Sequence, residues 1–386
     1  MRWPRILFLL AFFAFTALPL ANAWLGVVPE KPLVGVSVEV PPVPLNPRTY
    51  RNGKFQEAFE QRFGAGLSLR GHFVRADNEL NLRAFHQTGL DPHTSMVIGK
   101  DDYIFERGYV DAFNRHDEVP AAELEKKVER LALLQRYLES RGSTLLVVIT
   151  PSKPLLYPEY LPPKYVISER QSVPTNYDKF VPLLEKHRVH FVDGEGYLSA
   201  HKATSPVPYF GNSSSHWNDP AACEVTAVVM ARLGAQLQTR LPQLRCAPYY
   251  TSMAQRKKDI DILQVCNLWS EDRLYQPVHR ARPRLVPRRA APLSMLMIGG
   301  SFSFYLAEYF RLYRIDHHIF RYYTEDHYRG RKTPIHRDAL NWDELFSKQV
   351  IVIEVNVEVV PQVGFGFLED AEREIAARPA AVSPTL

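Results

Sequence analysis

The sequence predicts an α/β protein whose mostly parallel sheet is covered on both faces, between about residues 90 and 370. Three observations carry this reading. Thr144–Thr150 (TLLVVIT), Leu293–Ile298 and Val350–Val355 are continuous apolar runs of strand length, as strands buried on both faces require. Helical patterns lie between these runs, and strands alternating with helices build parallel sheets. The 386 residues are 46% hydrophobic and 23% charged, which supplies a large core and excludes a disordered chain, a collagen-like repeat and a small disulfide scaffold.

The chain opens with Arg2 and Arg5, an apolar run from Ile6 to Leu20 and the small-x-small end Ala21-Asn22-Ala23. That is the pattern of a secretory signal peptide, or of a signal anchor that stays uncleaved, over residues 1–23. The apolar run is short for a spanning helix, which needs about 20 residues. Either reading exports the remainder, to the periplasm in a Gram-negative host, soluble or tethered to the inner membrane. Residues 24–50 are proline-rich and read as an extended linker, and residues 51–377 as the folded domain.

Within that domain, 52–85 reads as helical and Met96–Phe105 as a hairpin around a Gly/Asp turn. Leu124, Val128, Leu131, Leu134 and Leu138 recur every three or four residues, marking an amphipathic helix over Ala121–Arg141 closed by Gly142. A helix over roughly 176–188 leads to a strand at Val189–Val192. Asp219 and Pro220 suit the N-cap and first turn of a helix running to about Leu237. A helix from about Phe302, a strand over Arg314–Tyr322 and a short helix at Asn341–Phe346 complete the set, and 378–386 reads as a flexible tail.

Charge excludes one class of partner. The formal charge is +5, and losing the two leader arginines leaves 5 − 2 = +3, too little and too scattered for nucleic acid. Cys223, Cys246 and Cys266 allow one bridge and one free thiol in an oxidising compartment, with Cys223 either buried as a small hydrophobe or bonded. No Cys-x-x-Cys or Cys/His spacing points to zinc, so no metal is expected.

Two segments carry the chemistry. Gly299-Gly300-Ser301-Phe302-Ser303 follows a buried strand directly and opens a helix. Ligands of open α/β sheets bind beyond the carboxyl ends of strands. Glycines there permit a tight turn, and free N–H groups at the helix start can hold an oxyanion. Ser301 is therefore the candidate nucleophile, with backbone N–H groups of Ser301 and Phe302 as oxyanion donors. A serine nucleophile needs a base, and the polar loop Ser213–Pro220 offers His216.

Taken together, the motifs resemble the SGNH-hydrolase-like domain of the alginate O-acetylation proteins AlgJ and AlgX. Five blocks carry the resemblance in order: Arg70–Phe85 (RGHFVRADNELNLRAF), Val97–Phe105 (VIGKDDYIF), Val147–Pro162 (VVITPSKPLLYPEYLP), Ser214–Trp217 and Gly299–Phe302. The resemblance implies a three-layer SGNH-hydrolase-like fold, Ser301 as nucleophile and His216 as general base. This chain departs from the family twice: the triad aspartate falls at Ser214, and the aspartate preceding the nucleophile is Gly300. Loss of the orienting carboxylate costs up to about 10⁴ in rate. Asp193 or Asp219 could orient His216 instead, a carbonyl or Ser214 Oγ could serve a weaker dyad, or catalysis is lost and binding remains.

Further candidates are weaker. Lys153 and Tyr157, in the Pro-Ser-Lys loop, read either as positioning the loop or an acidic sugar, or as a solvated lysine and a packed aromatic. Arg329 and Arg331 could contact polymer carboxylates, as could the run His279–Arg284 that reaches Arg288 and Arg289; charge runs are more often solvated faces. Asp259 and Asp261 resemble a family segment between the two motifs, and Asn356 and Glu358 end the last strand near the sheet's active edge.

The resemblance implies an exported O-acetyltransferase acting on an exopolysaccharide through a Ser–His acyl-enzyme, with no cofactor. It also implies a membrane-bound O-acyltransferase partner supplying acetyl groups and a polysaccharide export complex. Without a carbohydrate-binding module in view, the chain is more similar to AlgJ than to AlgX. The same residues would serve a polysaccharide acetyl esterase, and Ser214 and Gly300 keep open a non-catalytic, polysaccharide-binding scaffold.

Overall fold

The computed structural model describes residues 3–35, 41–88, 96–287 and 293–378. Arg2, Arg288, Arg289 and the tail beyond 378 lie outside the described residues. The chain forms two compact units, Met1–Met96 with Asp261–Leu274, and Val97–Ile260 with Tyr275–Leu386.

In the first unit the leader is a 23-residue helix, Trp3–Leu25, with no buried residue and the length and composition to cross a membrane. At 1.5 Å per residue it reaches about 34 Å, longer than the apolar run alone indicates, because helix continues through Pro19 and the small residues after it. The helix expected over 52–85 is divided into Lys54–Gly66 and Arg70–Phe85, the second entered through Leu69 in the left-handed region (φ 64°). Part of the proline-rich stretch is pinned: the Arg75 guanidinium donates to the carbonyls of Lys31 (2.9 Å) and Pro32 (2.8 Å). Asn78 Nδ2 donates to Cys266 O at 2.8 Å. Cys266 is a free thiol, and burial pushes it up to about 12.

The second unit holds a seven-stranded sheet. Its strands are β1 (Thr144–Thr150), β2 (Phe191–Asp193), β3 (Ser294–Gly299), β4 (Asp316–Arg321), β5 (Glu325–Tyr328), β6 (Arg331–Pro334) and β7 (Val350–Asn356), in the order β6-β5-β4-β3-β7-β1-β2. β4, β3, β7, β1 and β2 are parallel, and β5 and β6 form an antiparallel ribbon at one edge. That edge ribbon was not read from the sequence: its residues, EDHY and RKTP, are polar and lack an apolar alternation.

Alternation along the central strands makes the three layers. Val350 and Val352 join Leu146, Val148, Met295 and Met297 on one face, under the helices Asp219–Gln236 and Ser303–Phe310. Ile351, Ile353 and Val355 join Leu145, Val147 and Ile298 on the other, under Ala121–Glu139, Asn176–Lys186 and Phe367–Ala376. A Cys223–Cys246 disulfide fastens the Asp219–Gln236 helix to the segment after Gln243–Arg245. One boundary differs from expectation: Asn218, whose side chain accepts from Ala221 N, is the N-cap, and Asp219 is the first helical residue.

Candidate active site

Parallel register brings the carboxyl ends of β1, β3 and β7 to one edge. Ile298 of β3 stands beside Ile353 of β7, and Thr150 of β1 beside Asn356. Past Gly299 the chain turns through Gly300, Ser301 and Phe302 into the Ser303–Phe310 helix. The loop before the Asp219–Gln236 helix meets this turn, and His216 Nε2 lies 2.6 Å from Ser301 Oγ. The imidazole stacks on Tyr305 (5.2 Å between centroids, 18°) and leans on Phe302 (4.8 Å). These two rings pack against the imidazole and restrict its rotation.

The loop is held through its backbone. Ser214 Oγ accepts the His216 N–H (3.0 Å) and donates to Lys258 O (2.9 Å). Ser214 thus shapes the loop that carries the imidazole. The N–H groups of Ser301 and Phe302 have no hydrogen-bond partner among the described residues, whereas Gly300 N–H donates to Glu354 at 2.7 Å. An oxyanion would accordingly be met by Ser301 and Phe302. Beside His216 opens a cavity of about 410 Å³, lined among others by Phe210, Trp217, Pro277, Asn212, Thr251 and Lys258.

Both acids considered for His216 are engaged elsewhere. Asp193 ends β2, the far edge strand, three strands or about 14 Å from β3. Its carboxylate caps the next helix through Gly196 N (2.9 Å) and accepts the Tyr177 hydroxyl (2.7 Å). Asp219 faces a cationic group instead, with Lys258 Nζ at 2.8 Å and guanidinium nitrogens of Arg256 and Arg280 at 3.2 and 3.7 Å. Both are structural acids; the demands of a helix start and of two buried or half-buried cations claim them first.

Lys153 is not a solvated lysine. It is 1% exposed, and its ammonium donates to the carbonyls of Ile104 (2.8 Å), Asn212 (2.8 Å) and Ser214 (2.9 Å). No sugar reaches it; it ties the hairpin to the histidine loop. Tyr157 is also buried, and its hydroxyl accepts the Tyr209 N–H at 2.9 Å. Arg329, paired with Asp316 at 3.2 Å, and Arg331 sit on the exposed edge ribbon, not at the Ser301–His216 pair. Arg280 is buried against Asp259, with Nη1 at 2.7 Å, and is no solvated face. Asn356 Nδ2 donates to Pro151 O (2.7 Å), and Glu358, buried, accepts from Ser152 Oγ.

Sequence reasoning passed over Glu354. This carboxylate is fully buried on β7; Oε1 accepts from Thr150 Oγ1 (2.6 Å), and Oε2 from Gly300 N (2.7 Å) and Ser303 Oγ (3.0 Å). Burial leaves its pKa raised, although these donors and the nearby His216 offset part of the rise. A single acid inside the apolar run VIVIEV was the signal that could have marked it.

A parallel α/β sheet that presents a serine beyond a central strand, with a histidine on the facing loop, is the architecture of the SGNH-hydrolase-like class. The chain belongs to the family described as the SGNH hydrolase-like domain of the acetyltransferase AlgX, whose family model matches residues 96–303. It is 25% identical over 258 residues to the probable alginate O-acetylase AlgJ of Pseudomonas aeruginosa, covering 65% of this chain and 59% of that protein. With the protein of the same name from Pseudomonas syringae pv. tomato it shares 25% over 197 residues, 50% of this chain and 45% of the relative. The match thus spans about half the length of these relatives. Among solved structures, the O-acetyltransferase domain of Pseudomonas putida AlgJ aligns with a TM-score of 0.45 and 15% identity, over 69% of this chain and 92% of that one.

Proposed function

We propose that the protein is an exported O-acetyltransferase that acetylates an exopolysaccharide through a Ser301 acyl-enzyme. The observation that carries this reading is the 2.6 Å approach of His216 Nε2 to Ser301 Oγ at the carboxyl edge of the sheet. Ser301 Oγ attacks the acetyl carbonyl carbon while its proton passes to His216 Nε2. The oxyanion is met by the N–H groups of Ser301 and Phe302, and the protonated imidazole returns the proton to the leaving group. A sugar hydroxyl then gives its proton to His216 and its oxygen takes the acetyl group, and the imidazolium returns that proton to Ser301 Oγ as the ester bond to it breaks. The chemistry asks for no metal or cofactor.

The cavity beside His216 supports an acceptor subsite, since polar Asn212 and Thr251 stand among its apolar walls, as ligand sites require. The leader helix supports export and attachment to a membrane. The names of the relatives, alginate O-acetylases, support a polysaccharide substrate; a membrane-bound O-acyltransferase as acetyl donor and a polysaccharide export complex are the partners that the motif resemblance adds to this reading.

The test is acyl-enzyme trapping. The full chain in mild detergent is mixed with a nitrophenyl acetate, quenched and mapped by mass spectrometry. One acetyl on Ser301, absent in Ser301→Ala and strongly reduced in His216→Ala, is the expected result. Absence of both acylation and ester turnover would overturn the reading in favour of a binding scaffold. A mass gain of one acetyl on an added oligosaccharide marks transferase; deacetylation of a preacetylated one marks esterase.

A further inference from the structure

A buried carboxylate beneath a nucleophile's turn needs a reason, because an acid among apolar side chains is costly unless donors surround it. Glu354 lies on the face of β7 shared with Val350 and Val352, where the alternation calls for an aliphatic residue. Its three donors come from three elements: Thr150 from β1, Gly300 from the turn and Ser303 from the helix start. Thr150 Oγ1 itself accepts from Asn356 Nδ2 at 3.4 Å, which leaves its proton for Glu354. Gly300 N–H can only donate, and the Thr150 hydroxyl keeps its proton for Glu354, which fits the ionised form. The turn is built around it: a Cβ added to Gly299 would stand 2.5 Å from Glu354 Oε2.

We propose that Glu354 is a positioning residue for acyl transfer, which fixes the Gly299–Gly300–Ser301 turn by binding Gly300 N–H and Ser303 Oγ and sets a negative charge behind the imidazolium that His216 becomes. This deepens the acyl-enzyme reading above and rests on it. By holding Gly300 N–H, Glu354 also leaves only the next two amides to the oxyanion. The titratable groups that face Glu354 are His216 from the histidine loop and Tyr109 from the Arg107–Phe113 helix, with Tyr322 beside Gly300 after β4.

The experiment measures Ser301 modification by a sulfonyl fluoride in the full chain as a function of pH. In that step the Ser301 Oγ–S bond forms, the S–F bond breaks, fluoride leaves and the proton passes to His216. Glu354→Gln keeps the shape but not the charge. The expected result is a reaction about 10- to 100-fold slower at neutral pH, with its acidic limb moved to lower pH because the imidazolium has lost an anionic neighbour. Glu354→Gln that melts cooperatively and keeps both the wild-type rate and limb overturns the proposal while sparing the acyl-enzyme. A wild-type chain left unmodified at Ser301 overturns both. If Glu354→Gln does not fold, Ser303→Ala, which removes one donor from the same oxygen, decides: slower modification supports the assignment and an unchanged rate overturns it.

Discussion

The ammonium of Lys153 and the carbonyl of Ser214 stand 2.9 Å apart inside the protein, two residues before His216. The lysine enters from the loop after β1 and finds three carbonyls, so the histidine loop is fastened by a charge that solvent does not screen.

Lys153→Met is therefore expected to remove those bonds while keeping the apolar stem, leaving buried carbonyls without a donor. The loss is about 3 kcal/mol or more, read as a lower urea midpoint at unchanged slope. Ser301 modification should slow as well, since the His216 loop loses its tether. An unchanged midpoint would refute the role.

The two glycines before Ser301 should differ. At Gly299 an added Cβ meets Ser303 Oγ at 2.3 Å and Glu354 Cβ at 2.7 Å, whereas at Gly300 the nearest atom is Tyr322 Cε1 at 3.2 Å. Gly299→Ala is expected to cost about 1–3 kcal/mol through overpacking and to slow Ser301 acylation at least tenfold. Gly300→Ala should fold with the smaller loss, and equal melting temperatures for the two variants would contradict this.

Glu195 predicts a pH dependence. It is 2% exposed, and burial raises its pKa to about 7 although Ser152 N and Ser199 Oγ donate to it. The folded state therefore binds this proton more tightly than the unfolded chain. Its contribution to stability is complete below about pH 4.5 and is lost as pH rises to about 7, an amount of about 3 kcal/mol. Glu195→Gln should flatten that part of the stability–pH profile measured by denaturant titration. A slope equal to the wild type's would count against it.

The Cys223–Cys246 bond closes a loop with a sequence separation of 23. A loop of that size constrains the unfolded chain by about 3 kcal/mol. Cys223→Ser/Cys246→Ser, or reduction, is expected to lower the unfolding free energy by that order, whereas Cys266→Ser leaves the bond intact. Calorimetry with and without reductant checks it.

The sequence by itself determined the order of the central sheet's elements and pointed to Ser301 and His216. Continuous apolar runs gave β1, β3 and β7 because strands buried on both faces have no polar side to show. Ser301 and His216 were legible because a Gly-Gly-Ser turn after such a strand, and a histidine just before a helix cap, are local patterns. Only the tertiary structure decided which charge meets which partner. Glu354 reaches Gly300 across 54 positions and Lys153 reaches Ser214 across 61. Asp219 lies three residues from His216 in sequence yet pairs with Arg256, Lys258 and Arg280. Backbone geometry is a short-range property that periodicity records, whereas a buried charge is neutralised by whatever the fold brings beside it.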